Sequence, residues 1–172
     1  DQGAFLLANL NEELAKDEPD EKKKIGLLEK AIVQYANILT QWPDGEYAPR
    51  AQFKKALCLE LMGDFDRAAP EYVRLTYTWP EHTLVADATL RLANHYYKGG
   101  QYDVAGSIFR HFSKLRPEHD LAPKTLFLAG QCYLQQAAAY SEKTTDAAAA
   151  RAAKQWEKAI EAFQLVVDNY PD

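Results

Sequence analysis

The chain has 172 residues, 47% of them hydrophobic and 26% charged, which suits one compact domain or a short repeat array and is too apolar for a disordered segment. Its net charge of −5 offers no concentrated cationic surface to a phosphate backbone, so nucleic acid is not expected as a partner. Its longest apolar runs, such as Phe5-Leu6-Leu7-Ala8, are far too short to cross a bilayer, so no direct membrane insertion by this segment is expected.

The first ten residues, DQGAFLLANL, carry a helical pattern with no initiator methionine, and the chain stops on VVDNYPD, a motif that introduces another helix elsewhere in the sequence. The expectation is a segment of a longer protein. The acidic and lysine-rich stretch KDEPDEKKK (16–24) reads as a solvated loop joining the first two helices. Leu28, Ala31, Tyr35 and Ile38 then follow at helical spacing and lead to Pro43.

Pro43 opens a repeat. WPDGEYAPRAQF (42–53), WPEHTLVADATL (79–90) and RPEHDLAPKTLF (116–127) place their prolines thirty-seven residues apart, and the final YPD ends the chain in the same phase. Small residues recur at Ala56, Ala93 and Gly130, glycine at Gly63 and Gly100, and a second helical set at Phe65, Ala68, Tyr72, Leu75 and at Tyr102, Ala105, Phe109, Phe112. Counting back from Pro171 gives Trp156, Ala159, Phe163 and Val166. Apolar residues three and four apart predict helices throughout, so each unit is a helix pair. Thr83 and Asp120 share a column from which their side chains can cap the first helix, while Pro49 and Pro123 fall in the first turn, where a missing N–H costs little. Gly63 and Gly100 stop that helix in the left-handed conformation. Gly99-Gly100 therefore reads as a corner, since a phosphate loop would need a preceding strand, further glycines and a lysine.

Pro70 lies about six residues into its helix, where a kink is expected. The fourth repeat carries an alanine-rich insertion around AAAYSEKTTDAAAARAAKQ, which predicts two long helices protruding as a hairpin that turns near Ser141 to Thr145. The predicted architecture is all-α: an α-solenoid of about four antiparallel helix pairs, one repeat domain over 1–172 with repeats at about 3–43, 44–80, 81–117 and 118–172.

Leu92, Ala93, Tyr96, Gly100, Tyr102, Ala105, Phe109 and Pro117 occupy most of the signature columns of the tetratricopeptide repeat (TPR) family, which the chain resembles over nearly its whole length. The period exceeds the family's thirty-four residues by three around each P-[DE] loop. That longer loop is similar to bacterial envelope members, such as the repeat protein of the Tol–Pal system and the lipoprotein of outer-membrane barrel assembly. The resemblance implies a curved stack whose first helices line a groove that holds a protein or peptide partner. The implied groove residues are Arg50, Phe53, Leu57 and Glu60; Asp87, Leu90, Asn94, Tyr97 and Lys98; and Lys124, Phe127, Gln131 and Leu134. Phe53, Leu90 and Phe127 share one column, which would lay an exposed apolar stripe along the groove. A chaperone-tail clamp is not implied, because Leu90 and Phe53 stand where its lysine belongs beside Asn94.

Catalysis finds no support. His82, His95, His111 and His119 form no metal-ligand pair at helical spacing, and no cofactor or metal is expected. His95 shares a column with Cys58 and Cys132, which predicts an inward or semi-buried packing position. The two cysteines, two repeats apart, are expected to be reduced and buried. The sequence thus predicts a non-catalytic interaction scaffold, by resemblance in a periplasmic or outer-membrane-attached assembly, with a cytoplasmic one as the alternative. A structural module that self-associates through its terminal hairpins is the other reading.

Overall fold

A computed structural model describes residues 1–143 and 145–171. Among these the chain is helical, with no strand: α1 (Gln2–Asp17), α2 (Glu21–Gln41), α3 (Ala48–Leu61), α4 (Phe65–Thr78), α5 (Leu84–Lys98), α6 (Tyr102–Leu115), α7 (Ala122–Ser141) and α8 (Asp146–Asn169). The elements are those of a TPR-like helical repeat.

Each boundary has a local cause. The residue before each repeat proline cannot stay in the helical region, and Trp42, Trp79, Arg116 and Tyr170 share one conformation, with φ between −127° and −137° and ψ between 62° and 66°. Each donates its N–H to the carbonyl four residues back, at 2.9–3.0 Å. Pro49 and Pro123 lie in the first turns of α3 and α7, as the sequence predicts. Gly63 (φ 78°) and Gly100 (φ 74°) close α3 and α5. Around Gly63, its own N–H reaches Glu60 O and that of Asp64 reaches Leu59 O; around Gly100 the pairs are Gly100 to Tyr97 and Gln101 to Tyr96. This double closure satisfies the last helical carbonyls and confirms the corner.

The cap expected from Thr83 and Asp120 is replaced by histidine. His82 Nδ1 accepts from Leu84 N and His119 Nδ1 from Leu121 N, both at 3.1 Å, and α7 has no side-chain cap of its own. Each imidazole reaches two residues forward because its own backbone is turned by a bond to Trp79 O or Arg116 O. The loop between α1 and α2 is also shorter than KDEPDEKKK suggests. Asp20 accepts from Lys23 N at 3.0 Å and Glu21 faces the positive end of the helix, so α2 starts at Glu21 and only 18–20 remain non-helical. α4 runs on through Pro70.

The last pair is long, with 20 residues in α7 and 24 in α8 against 14 or 15 in each of α3 to α6. Its turn falls between Ser141 and Asp146, where Thr145 Oγ1 caps α8 through Ala148 N at 3.2 Å. Thr144, within the predicted turn, lies outside the described residues.

The chain forms two compact units, Asp1–Ala88 and Thr89–Asp172, divided within α5. In the first, α1 packs on α2, α2 on α3 and α3 on α4. Ala8, Ala31, Ala56 and Ala68 are fully buried, so the helices approach closely, and Tyr35 and Tyr72 fill the space beside them. In the second unit, Ala93, Ala105, Phe109, Ala129, Cys132, Tyr133 and Ala159 make one core. Gly130 lies so near Phe163 of α8 that a Cβ would stand 2.6 Å from its ring.

Two alanine substitutions therefore have opposite signs. At Gly130 the added methyl overpacks a filled site, at a cost of about 1–3 kcal/mol that exceeds the helix-propensity gain. At Gly26, inside α2 with open space around it, the gain of roughly 0.5–1 kcal/mol stands alone. Urea unfolding should show Gly130→Ala below and Gly26→Ala above the parent; a stabilised Gly130→Ala would mean that α7 and α8 are farther apart than described.

Candidate partner-binding groove

The first helices supply the site, and buried electrostatics position them. Glu12 of α1 is completely buried, an arrangement that survives only if the carboxylate is fully bonded. Its Oε2 accepts from Tyr35 OH of α2 at 3.0 Å and its Oε1 from Lys54 Nζ of α3 at 2.7 Å, with Lys16 Nζ 3.6 Å away. One carboxylate thus joins three helices. Burial, followed by the nearby Glu12 charge, pushes the Tyr35 phenol well above its ordinary range, so it is a fixed donor. Farther along α3, Glu60 accepts from Tyr72 OH of α4 at 2.6 Å.

With α3 fixed, a cavity of about 350 Å³ opens on the first unit. It is lined by Phe5 and Asn9 of α1, by Arg50, Phe53 and Lys54 of α3, and by His82, Thr83 and Leu84 at the start of α5. Phe53 is 7% exposed and lies 5.6 Å from the Tyr72 ring, so it belongs to the wall and not to an exposed stripe, which corrects that expectation. Lys54 is engaged by Glu12, whereas Arg50 is exposed, with its guanidinium 5.9 Å from the Tyr47 ring centroid. The mouth is cationic on an otherwise acidic chain. The space suits an apolar side chain, with an anionic group beside it at Arg50.

Of the predicted groove residues, the cavity brings together Arg50 and Phe53. Leu57 and Glu60 are half-buried farther along α3. In the second unit, Leu90 and Leu134 pack against the core, while Asn94, Lys98, Lys124 and Gln131 are exposed. Tyr97 is also exposed and meets Tyr102 edge-on at 5.1 Å; Phe127, 45% exposed, lies 5.4 Å from Phe163. Phe5, Asn9, Lys54, His82, Thr83 and Leu84, which also line the cavity, stand outside the predicted groove set. Matching Ala8 to Ala56 would have put Phe5 in the column of Phe53, but the irregular first loop hides that phase.

His95 is exposed, contrary to its predicted packing position, and its ring stands edge-on to Tyr96. Cys58 and Cys132 are free and buried. Burial, with Glu12 contributing, pushes the Cys58 thiol up to about 12, and burial pushes Cys132 to about 11, so neither is a nucleophile at neutral pH. Among the described residues no cluster of three or more His, Cys, Asp or Glu could hold a metal, and no helix is long and apolar enough to cross a membrane.

Burial and then the Arg50 charge hold the His82 imidazole below its ordinary 6.5. Between that lowered value and 6.5 the unfolded chain binds more protons than the folded one, so stability falls as pH drops through this window and is fully present above it. Protonation would also remove the acceptor from Leu84 N. Chemical denaturation from pH 7.5 to 5 should show this slope weakened in His82→Asn; an unchanged slope would dissociate His82 from it.

No curated protein matches the chain. Comparison with protein families matches residues 54–172, from within α3 to the end of the chain, to the family YfiO, described as an outer membrane lipoprotein. With most of its length inside that match, the chain belongs to the YfiO family of outer membrane lipoproteins.

Proposed function

We propose that the chain is a non-catalytic interaction scaffold of a bacterial outer-membrane assembly, holding an extended segment of a partner protein in the groove of the first unit. The observation that carries this reading is the cavity shared by α1, α3 and the start of α5, with Phe5 and Phe53 in its wall and Arg50 at its mouth. The partner places an apolar side chain in the cavity and an acidic group against Arg50. Asn94, Tyr97, Lys98, Lys124, Phe127 and Gln131, on the corresponding columns of the second unit, form a second contact set, with Leu57, Glu60, Leu90 and Leu134 backing the two. Family membership favours the periplasmic face of the outer membrane as the setting.

The reading is tested by affinity capture from envelope extract of the source bacterium. The parent chain is compared with Arg50→Glu and with Arg67→Glu, a change at an exposed residue of α4 away from the cavity. One protein should be retained by the parent and by Arg67→Glu, and lost at least tenfold with Arg50→Glu, with retention weakening as salt rises. Equal retention by all three would place binding elsewhere.

A further inference from the structure

His82 holds two positions at once. Its Nδ1 accepts from Leu84 N at 3.1 Å, which fixes the start of α5, and its ring stands in the cavity wall with Arg50 and Lys54 of α3. His119 makes the same bond to Leu121 N, so the cap belongs to the loop sequence. What His82 adds is its place in a cavity beside a cation.

With Nδ1 accepting, the one proton of the neutral ring sits on Nε2. A second proton has to go to Nδ1, where it breaks the bond to Leu84 N and sets an imidazolium against Arg50. Burial first, then the Arg50 charge, hold the ring below its ordinary 6.5. The other groups of the wall bring little charge to it. Lys54 is bonded to Glu12 at 2.7 Å, α1 supplies only the uncharged Phe5 and Asn9, and the start of α5 supplies Thr83 and Leu84. Glu81, its neighbour in the chain, is exposed. Arg50 is thus the charge that sets the proton affinity of His82, and such coupling is reciprocal. A carboxylate that neutralises Arg50 lifts one of the two causes and favours the imidazolium directly.

We propose that His82 is a recognition residue of the cavity, taking up a proton from solvent when a carboxylate of the partner settles against Arg50, so that binding tightens as the pH falls. The inference rests on the groove reading and deepens it. Its sign is opposite to that of folding. Acidification costs stability because the folded chain binds fewer protons at His82 than the unfolded one; it gains affinity because the complex binds more than the free chain. Affinity rises as pH drops through the midpoint of His82 in the complex, and levels off below its midpoint in the free chain.

Three dipeptides probe the cavity of the whole chain: N-acetyl Phe-Asp amide, N-acetyl Asn-Phe with a free carboxyl end, and the uncharged N-acetyl Phe-Asn amide. NMR follows the His82 imidazole, assigned by its loss in His82→Asn, with circular dichroism as the fold control. Between about pH 7.5 and about pH 5.5 a carboxylate peptide should gain about three- to tenfold in affinity for the parent and raise the His82 midpoint to match, while the uncharged peptide does neither. Whichever charged peptide binds more tightly names the source of the carboxylate, side chain or chain end. Affinity should be flat with pH in His82→Asn, or in His82→Gln should the first variant fail to fold, and Arg50→Gln should raise the midpoint with no peptide present. A carboxylate peptide that binds without moving His82, or with the same pH dependence in His82→Asn, overturns the inference and leaves the groove reading standing, as does an unmoved midpoint in Arg50→Gln. Charged peptides that perturb no cavity residue at any pH overturn both.

Discussion

The constraint on which the rest depends is the fully buried alanine in the second helix of every pair: Ala31, Ala68, Ala105 and Ala159. A side chain that small lets helices approach closely, and the gap beside it is filled one turn later by Tyr35, Tyr72, Phe109 and Phe163. The choice of ring then dictates chemistry on the facing helix. Phe109 and Phe163 ask for nothing polar. Tyr35 and Tyr72 bury a hydroxyl, which must be bonded, and in both cases the acceptor is a carboxylate of the preceding or adjoining first helix, Glu12 or Glu60.

From that requirement the groove follows. A carboxylate buried as deeply as Glu12 needs a cation, and Lys54 of α3 supplies it. Removing one partner of such a buried pair typically costs about 3–5 kcal/mol, so the three helices are held in one register by necessity. Their common side is then free to carry the cavity. Because Lys54 is spent on Glu12, the charge available to a ligand is that of Arg50, which leaves the site with apolar walls and one cation at its mouth.

Much of this was legible in the sequence because repetition multiplies weak signals. The paired glycines of 99–100 could be read as a corner only because Gly63 stands one period earlier, and both adopt the positive φ that reading needs. The long final pair followed from alanine content. What escaped notice depends on a single long-range contact or on side-chain reach. The histidine caps arise from a ring nitrogen meeting a backbone N–H two residues on, where the residue next in line, Thr83, has the better capping propensity. Phe53 and Phe127 share a column yet differ from 7% to 45% exposure, because Phe53 packs onto Tyr72 and walls a cavity while Phe127 lies over Phe163 on the surface. His95 likewise shares a column with two buried cysteines but is exposed, since an imidazole can remain in water where a thiol gains nothing by it. The place of Phe5 in the cavity was invisible because the first loop breaks the period.

The central claim, that the α1–α3–α5 cavity is the working surface, is tested most directly by a photo-crosslinking amino acid placed at one position at a time in the chain within its own bacterium. Thr83 is exposed at the cavity mouth, and Tyr77, on α4 and 77% exposed, lies outside the cavity lining. The account predicts one discrete envelope-protein adduct from position 83, abolished by Arg50→Glu, and none of the same mass from position 77. The same adduct from both positions, or from position 77 alone, would contradict it.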